Sequence, residues 1–186
     1  DDPVAAGEIL TLQRLLKDSA SYKNIIVSVK NNLNMTETNV NTAYDLLLQT
    51  QDTAVEAVSL PAGDDETWAS VADEIDKIFD RMLAAANAKN GDTYLFGGTQ
   101  NTEKPFDWDG DHIVYNGNNK VTSVNIGENL TENKNIPGSE IFLANEDVFD
   151  VLNELREAVA SRDTDQIEAQ LDRINTAQKQ VIAAQS

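Results

Sequence analysis

The sequence predicts a mainly α fold with a small β-rich insert: an elongated antiparallel helical bundle, or coiled-coil rod, carrying a projecting β domain. Three observations predict it. Apolar residues recur at three-four spacing over most of the chain, no proline or glycine falls between Glu8 and Leu60, and seven of the nine glycines gather between Gly91 and Gly138.

The first element is one long helix over Val4 to Val58. Its seam runs through Leu12, Leu15, Ser19, Tyr22, Ile26, Val29, Leu33, Thr36, Val40, Ala43, Leu47, Thr50, Ala54 and Ala57, eleven of which are apolar. That heptad-like repeat suits a helix packed along its length. Pro3 fits the first turn, where a missing N–H costs nothing. At ~1.5 Å per residue the helix is roughly 80 Å long, the length of a rod rather than of a globule.

Leu60-Pro61-Ala62-Gly63 breaks it, and Asp64 or Asp65 caps a second helix. The seam resumes as Trp68, Val71, Ile75, Ile78, Met82 and Ala85; after so short a connection this helix folds back antiparallel on the first. Asn90-Gly91 reads as its C-terminal glycine cap.

From Thr93 the character changes. Segments rich in aromatic and β-branched residues, TYLF, HIVYN and VTSVNI, alternate with the turn pairs Asp109-Gly110 and Asn116-Gly117 and with Gly127, as in a small β unit. Pro137-Gly138 closes it. Asn145, Glu146 and Asp147 then cap a helix with Val148, Val151, Leu152, Leu155 and Val159 on its seam. A pause at SRDTD precedes a last helix with Ile167, Leu171, Ile174 and Val181, capped by Asp163, Thr164 or Asp165. Residues 1–92 and 144–186 thus form the helical rod, and 93–143 the insert.

Composition excludes several function classes. A formal charge of −18, from 14 basic and 32 acidic residues, repels phosphate backbones, so nucleic acid is not an expected partner. No run of about 18 apolar residues is present to span a membrane. The chain has no cysteine, hence no disulfide, thiolate site or cysteine nucleophile. The start at Asp1-Asp2-Pro3 without Met, and the end at Gln185-Ser186 inside an unfinished helical pattern, read as a core segment of a longer parent.

The residues offer no catalytic constellation. The lone His112 sits beside a turn with no evident nucleophile. Asp107, Asp109 and Asp111 have the alternate spacing of a calcium loop, but position six is His112 instead of glycine and position twelve is Asn118 instead of glutamate. An Asp-Gly hairpin turn explains the same residues and leaves calcium a minor alternative. Gly97-Gly98 lacks the lysine of a phosphate loop, and the helical carboxylates Asp73, Glu74, Asp76 and Asp80 lie off the seam. No enzyme activity, cofactor or metal is expected.

Several stretches, in order, carry a resemblance: DDPVAA at 1–6, NMTETNV at 34–40, NAKNGDTYLFGGT at 87–99, PF at 105–106, VYNGNN at 114–119, NIG at 125–127 and PGSEIF at 137–142. Together with the break at SRDTDQIEAQLDRI they resemble the flagellar hook-filament junction proteins of the hook-associated protein 3, or FlgL, type, relatives of flagellin. The resemblance implies that the junction residues Gly91, Tyr94, Phe96, Gly97 and Gly98 mark where the chain leaves an inner, D1-like helical domain for an outer, D2-like one. It implies a structural adaptor ring of self-associating copies between hook-associated protein 1 and flagellin, outside the cell. Export through the flagellar type III apparatus, with an export chaperone for the full-length protein, follows from the same resemblance. Terminal segments that drive polymerisation in this family lie beyond this sequence, so a monomer is expected in dilute solution. Flagellin itself shares the rod, but YLFGG and VYNG favour the junction type. A helical ligand-binding sensor domain is the alternative from another class.

Overall fold

The computed structural model describes residues 3–184; the expected cut ends, Asp1-Asp2 and Gln185-Ser186, lie outside the described residues. Helix α1 spans Pro3–Val58 without a break, as the uninterrupted seam requires. Five of its threonine hydroxyls, on Thr11, Thr38, Thr42, Thr50 and Thr53, donate to the carbonyl one turn back and so leave the backbone ladder intact.

The Pro61 turn reverses the chain into α2, Asp65–Ala86. The Asp64 carboxylate accepts from Thr67 N at 3.2 Å and from Thr67 Oγ1 at 2.8 Å, satisfying donors that the first turn leaves orphaned. Helix α4, Val148–Ser161, and helix α5, Thr164–Ala183, complete the bundle, capped by Asp147 and Asp163. The turn between them puts Arg162 in the left-handed region at φ 56°. There its guanidinium reaches the Ala62 carbonyl at 2.9 Å and Asp65 at 2.7 Å, tying the α4–α5 turn to the α1–α2 turn.

The four helices run up, down, up and down. Helix α1 packs on α2 and α5, and α4 closes the square against both. Near the turns the core consists of Ala54, Ala57, Trp68, Val71, Ile75, Val151, Leu155, Val159, Ile167 and Ile174. Gln170, Gln178 and Gln180 are the buried polar residues of α5, and all three are satisfied, Gln170 by donating to Glu154 and accepting from Arg173. Gln178 Nε2 donates to the Leu47 carbonyl, while Gln180 donates to the Ile141 and Glu146 carbonyls and accepts from Asn145 N and Glu146 N.

The insert holds three separate antiparallel ladders: β1 Lys89–Asn90 with β2 Thr93–Tyr94, β3 Phe106–Trp108 with β4 Ile113–Tyr115, and β5 Ser123–Gly127 with β6 Leu130–Asn133. A short helix α3, Gly138–Phe142, follows. Strands β1, β3 and β6 and this helix go beyond the three strand segments legible in the sequence. The apolar residues of the insert do not form a core of their own. Leu95, Phe96, Phe106, Ile113, Ile141 and Phe142 join Val40, Leu47, Ile78, Met82, Phe149 and Val181 in a single buried cluster at the end of the bundle.

Two expectations need correction. Helix α2 ends at Ala86, and Asn87 rather than Gly91 caps it; Gly91 instead opens the β1–β2 hairpin at φ 61°, the first loop position where a two-residue turn demands glycine. The seam of α1 closes on this chain's own elements only from Val29 onward. Leu12, Leu15 and Ile26 are 59, 54 and 44 % exposed, because α5 ends beside Thr36 and Val40, leaving the first half of α1 past the end of the bundle. Of the remaining seam residues, Tyr22, Leu33 and Leu171 are half-buried, while Val40, Leu47, Trp68, Val71, Ile75, Ile78, Met82, Leu152, Leu155, Val159, Ile167 and Ile174 are buried.

Candidate assembly surface and the helix-to-insert junction

The junction is built on asparagines. Where α2 stops, the Asn87 side chain acts as a short piece of strand: Nδ2 donates to the Phe106 carbonyl at 2.8 Å and Oδ1 accepts from Phe106 N at 3.0 Å. This pairing holds the start of β3 to the end of the helix. It also sets Phe106 edge-on to Phe142 at 5.3 Å between ring centroids, with Phe149 at the same distance.

Tyr94 N donates to the Asn101 carbonyl at 2.7 Å and Leu95 N to the Ala88 carbonyl at 2.9 Å. The ammonium of Lys89 lies 4.4 Å from the centre of the Tyr94 ring, across the β1–β2 ladder. Phe96 is fully buried, and its carbonyl accepts from both Gly138 N at 2.9 Å and Tyr115 Oη at 2.8 Å. Burial pushes the Tyr115 phenol up from its ordinary range, so it remains a neutral donor to that carbonyl.

Beyond Phe96 the chain turns at Gly97 and Gly98, the latter at φ 67°. Asn118 staples this turn. Its backbone N donates to the Gly97 carbonyl at 3.2 Å, Oδ1 accepts from Thr99 N and Lys120 N at 3.0 Å each, and Nδ2 donates to Thr99 Oγ1 at 2.8 Å. Asn135 does the same for the β5–β6 hairpin, accepting from Thr122 N at 2.7 Å and donating to the Lys120 carbonyl at 3.1 Å. The structure therefore brings together the expected junction residues Tyr94, Phe96, Gly97 and Gly98, and leaves Gly91 on an exposed hairpin tip. Asn87, Asn118 and Asn135 are the residues that sequence reasoning missed; the signal available was the place of Asn87 at a helix end and of Asn118 next to Gly117, and nothing local marked Asn135.

The aspartates of the β3–β4 turn have local tasks. Asp107 pairs with Lys104 Nζ at 2.9 Å. Asp109 Oδ1 accepts from the Asp111 and His112 amides at 3.0 Å each, which together with His112 holds its carboxyl below the usual range. Asp111 is fully exposed. Among the described residues no group of three His, Cys, Asp or Glu is placed to hold a metal ion, and no helix is long and apolar enough to cross a membrane.

The other surface of note is α1 ahead of Val29. A groove of about 650 Å³ runs along it, floored by Leu15, Ser19, Tyr22 and Ile26 and walled by Ile126 and Glu128 at the tip of the β5–β6 hairpin. Asn32 anchors that hairpin to α1, donating to the Lys134 carbonyl and accepting from Asn90 Nδ2 at 3.2 Å.

No family model and no curated protein matches the sequence. Solved structures do match the fold. A structure described as a flagellar hook-associated protein from Vibrio parahaemolyticus is 22 % identical, covering 100 % of this chain and 85 % of that one, with a TM-score of 0.88. FlgL of Xanthomonas campestris, 16 % identical, matches 93 % of this chain and 90 % of its own at a TM-score of 0.81. FlgL of Bacillus cereus, 21 % identical, matches 97 % and 87 % at 0.80. The chain shares its fold with these proteins, from the long first helix through the insert to the last helix.

Proposed function

We propose that this chain is a structural subunit of the bacterial flagellum, an adaptor at the hook-filament junction on which flagellin polymerises. The observation that carries the reading is the agreement between an end-to-end match of fold, insert included, to FlgL and hook-associated structures from three bacteria and the motifs that resemble the same family in the sequence. A site for chemistry is not what the molecule is built around. Its polar side chains are spent on caps, hairpins and helix ties, and its open surface is a helix face, which suits assembly.

In this reading the helices of 1–92 and 144–186 form the inner, D1-like layer of a tubular wall, and residues 93–143 its outer, D2-like layer. Hook-associated protein 1 binds on one side and flagellin on the other, with further copies of the chain beside it in the ring. The protein works outside the cell, delivered by the flagellar export apparatus, with a chaperone holding it beforehand. Its role is mechanical, without catalysis or a cofactor.

Deleting the parent gene tests this. Bare hooks in electron micrographs, together with flagellin accumulating in the medium, are the expected result, since filament subunits are exported with no platform to build on. Bare hooks without secreted flagellin would instead make the chain the filament subunit. Normal filaments and normal swimming would overturn the flagellar reading.

A further inference from the structure

Where the β1–β2 and β5–β6 hairpins lean on α1 they enclose a cavity of about 300 Å³, at the lower end of the ~300–1,000 Å³ of small-molecule sites. Such sites are mostly apolar, but here Leu95 is the one wholly apolar side chain in the lining. Apart from Gly98, the rest present amides, hydroxyls and an ammonium. We propose that this cavity binds a single acidic sugar, a molecule carrying a carboxylate beside several hydroxyls.

The walls are held from behind. Asn32 Nδ2 donates to the Lys134 carbonyl at 2.6 Å and its Oδ1 accepts from Asn90 Nδ2 at 3.2 Å, so one α1 side chain fixes both hairpins. Asn135 is 7 % exposed and is spent on Thr122 N and the Lys120 carbonyl. Tyr94 N donates to the Asn101 carbonyl at 2.7 Å. These bonds occupy backbone groups and the inner amides and leave the outer side chains uncommitted. Among the described residues the Ser28 hydroxyl, the Tyr94 hydroxyl, the Asn101 carboxamide and the Lys134 ammonium have no hydrogen-bond or ion-pair partner, and all four residues line the cavity.

Those four groups define the ligand. Hydroxyls and a carboxamide both donate and accept, which matches the hydroxyls of a sugar ring. An acetate or sulfate ion only accepts, and would leave the Asn101 Oδ1 without a donor. The charge is of one sign: Lys134 is the only ionised side chain in the lining, in a chain with 32 acidic residues. Just outside, the Lys89 ammonium lies 4.4 Å from the centre of the Tyr94 ring and Asp92 sits at the tip of the β1–β2 hairpin, so the local balance stays positive. More distant acids are screened beyond ~8 Å at physiological ionic strength. A carboxylate on the Lys134 ammonium, with ring hydroxyls across Ser28, Tyr94 and Asn101, meets both requirements. The volume admits one sugar residue, either free or at the end of an acidic glycan. The cavity has no part in the junction reading, and either can fail without the other.

Amide NMR titration of the isotope-labelled chain with sodium glucuronate at constant ionic strength is the direct test. Saturable shifts are expected at Asn90, Thr93, Tyr94, Asn101 and Lys134, with a Kd on the order of 1 mM, since solvated groups exchange water for ligand. Glucose and acetate each carry half of the chemistry and should bind about tenfold more weakly. Lys134→Met keeps the stem and the backbone bonds of the hairpin; it should weaken glucuronate about tenfold and leave glucose unchanged. Asn101→Ala should weaken both sugars. No saturable shift at the lining amides, or acetate binding as tightly as glucuronate, would overturn the proposal. So would native glucuronate affinity in a Lys134→Met chain that melts like the native one. A disaccharide ending in glucuronate that binds as tightly as the free acid would support a glycan end as the source, and binding of the free acid alone would support a free sugar acid.

Discussion

Gly98 and Asn118 meet so closely that a Cβ on Gly98 would stand 2.1 Å from the Asn118 carbonyl oxygen and 2.4 Å from its Oδ1. The turn that carries the chain from the bundle into the insert is thus fixed from both sides, by a left-handed glycine and by an asparagine that holds Gly97, Thr99 and Lys120. Gly98→Ala therefore costs the ~1–2 kcal/mol of a left-handed alanine and a backbone clash besides, for a loss above ~2 kcal/mol. Gly91 provides the contrast: it has a similar φ of 61° but nothing within 4 Å of its would-be Cβ. Gly91→Ala should cost only the ~1–2 kcal/mol of the left-handed alanine itself. Urea midpoints of the two variants check the difference, and equal losses would mean that the Asn118 contact has no energetic weight.

Asn87 satisfies both backbone groups of Phe106. Asn87→Ala strands a partly buried donor and acceptor together, for an expected loss of about 2–4 kcal/mol. Asn87→Asp keeps the acceptor but sets its second carboxylate oxygen against the Phe106 carbonyl, and should recover none of the loss. If Asn87→Ala unfolded at the native denaturant concentration, water would have to replace both bonds.

Phe106 belongs to the insert by sequence and to the bundle end by packing. Phe106→Ala should cost about 3–5 kcal/mol, and amide exchange should accelerate in α2 and α4 as well as in β3 and β4. Acceleration confined to residues 93–143 would show an insert that opens independently.

Burial lifts the Asp147 carboxyl above its ordinary value of 3.8, against the pull of the Asp150 and Phe149 amides that it caps. The folded chain then binds this proton more tightly than the unfolded one. The contribution of Asp147 is therefore most favourable below the ordinary value and declines as pH rises through the folded one. Asp147→Asn keeps the capping acceptor and removes the titration. It should hold stability at pH 7 within about 0.5 kcal/mol of native and flatten the melting profile just above the ordinary carboxylate range. An unchanged profile would count against a raised carboxyl.

The bundle was legible because its signals are periodic and local. The α1 seam, the Pro61 break and the capping aspartates Asp64 and Asp163 each specify an element without help from distant residues. The insert was legible only as a change in composition. Its ladders of two to five residues are too short to show alternation, and their order depends on Asn87, Asn118 and Asn135 reaching segments 13 to 19 positions away. Gly91 was misread because Asn-Gly ends a helix and turns a hairpin equally well; only the earlier stop at Asn87 separates the two. Periodicity also cannot tell what a seam packs against. Leu12 and Leu47 obey one repeat, yet the first is 59 % exposed and the second fully buried, because α5 ends between them.

The central claim is position in the flagellum, and immunogold labelling of intact hook-filament structures from cells carrying the tagged parent protein tests it most directly. The account predicts one narrow band of label where hook meets filament. Label along the whole filament would identify a filament subunit instead, and label absent from the flagellum would contradict the account altogether.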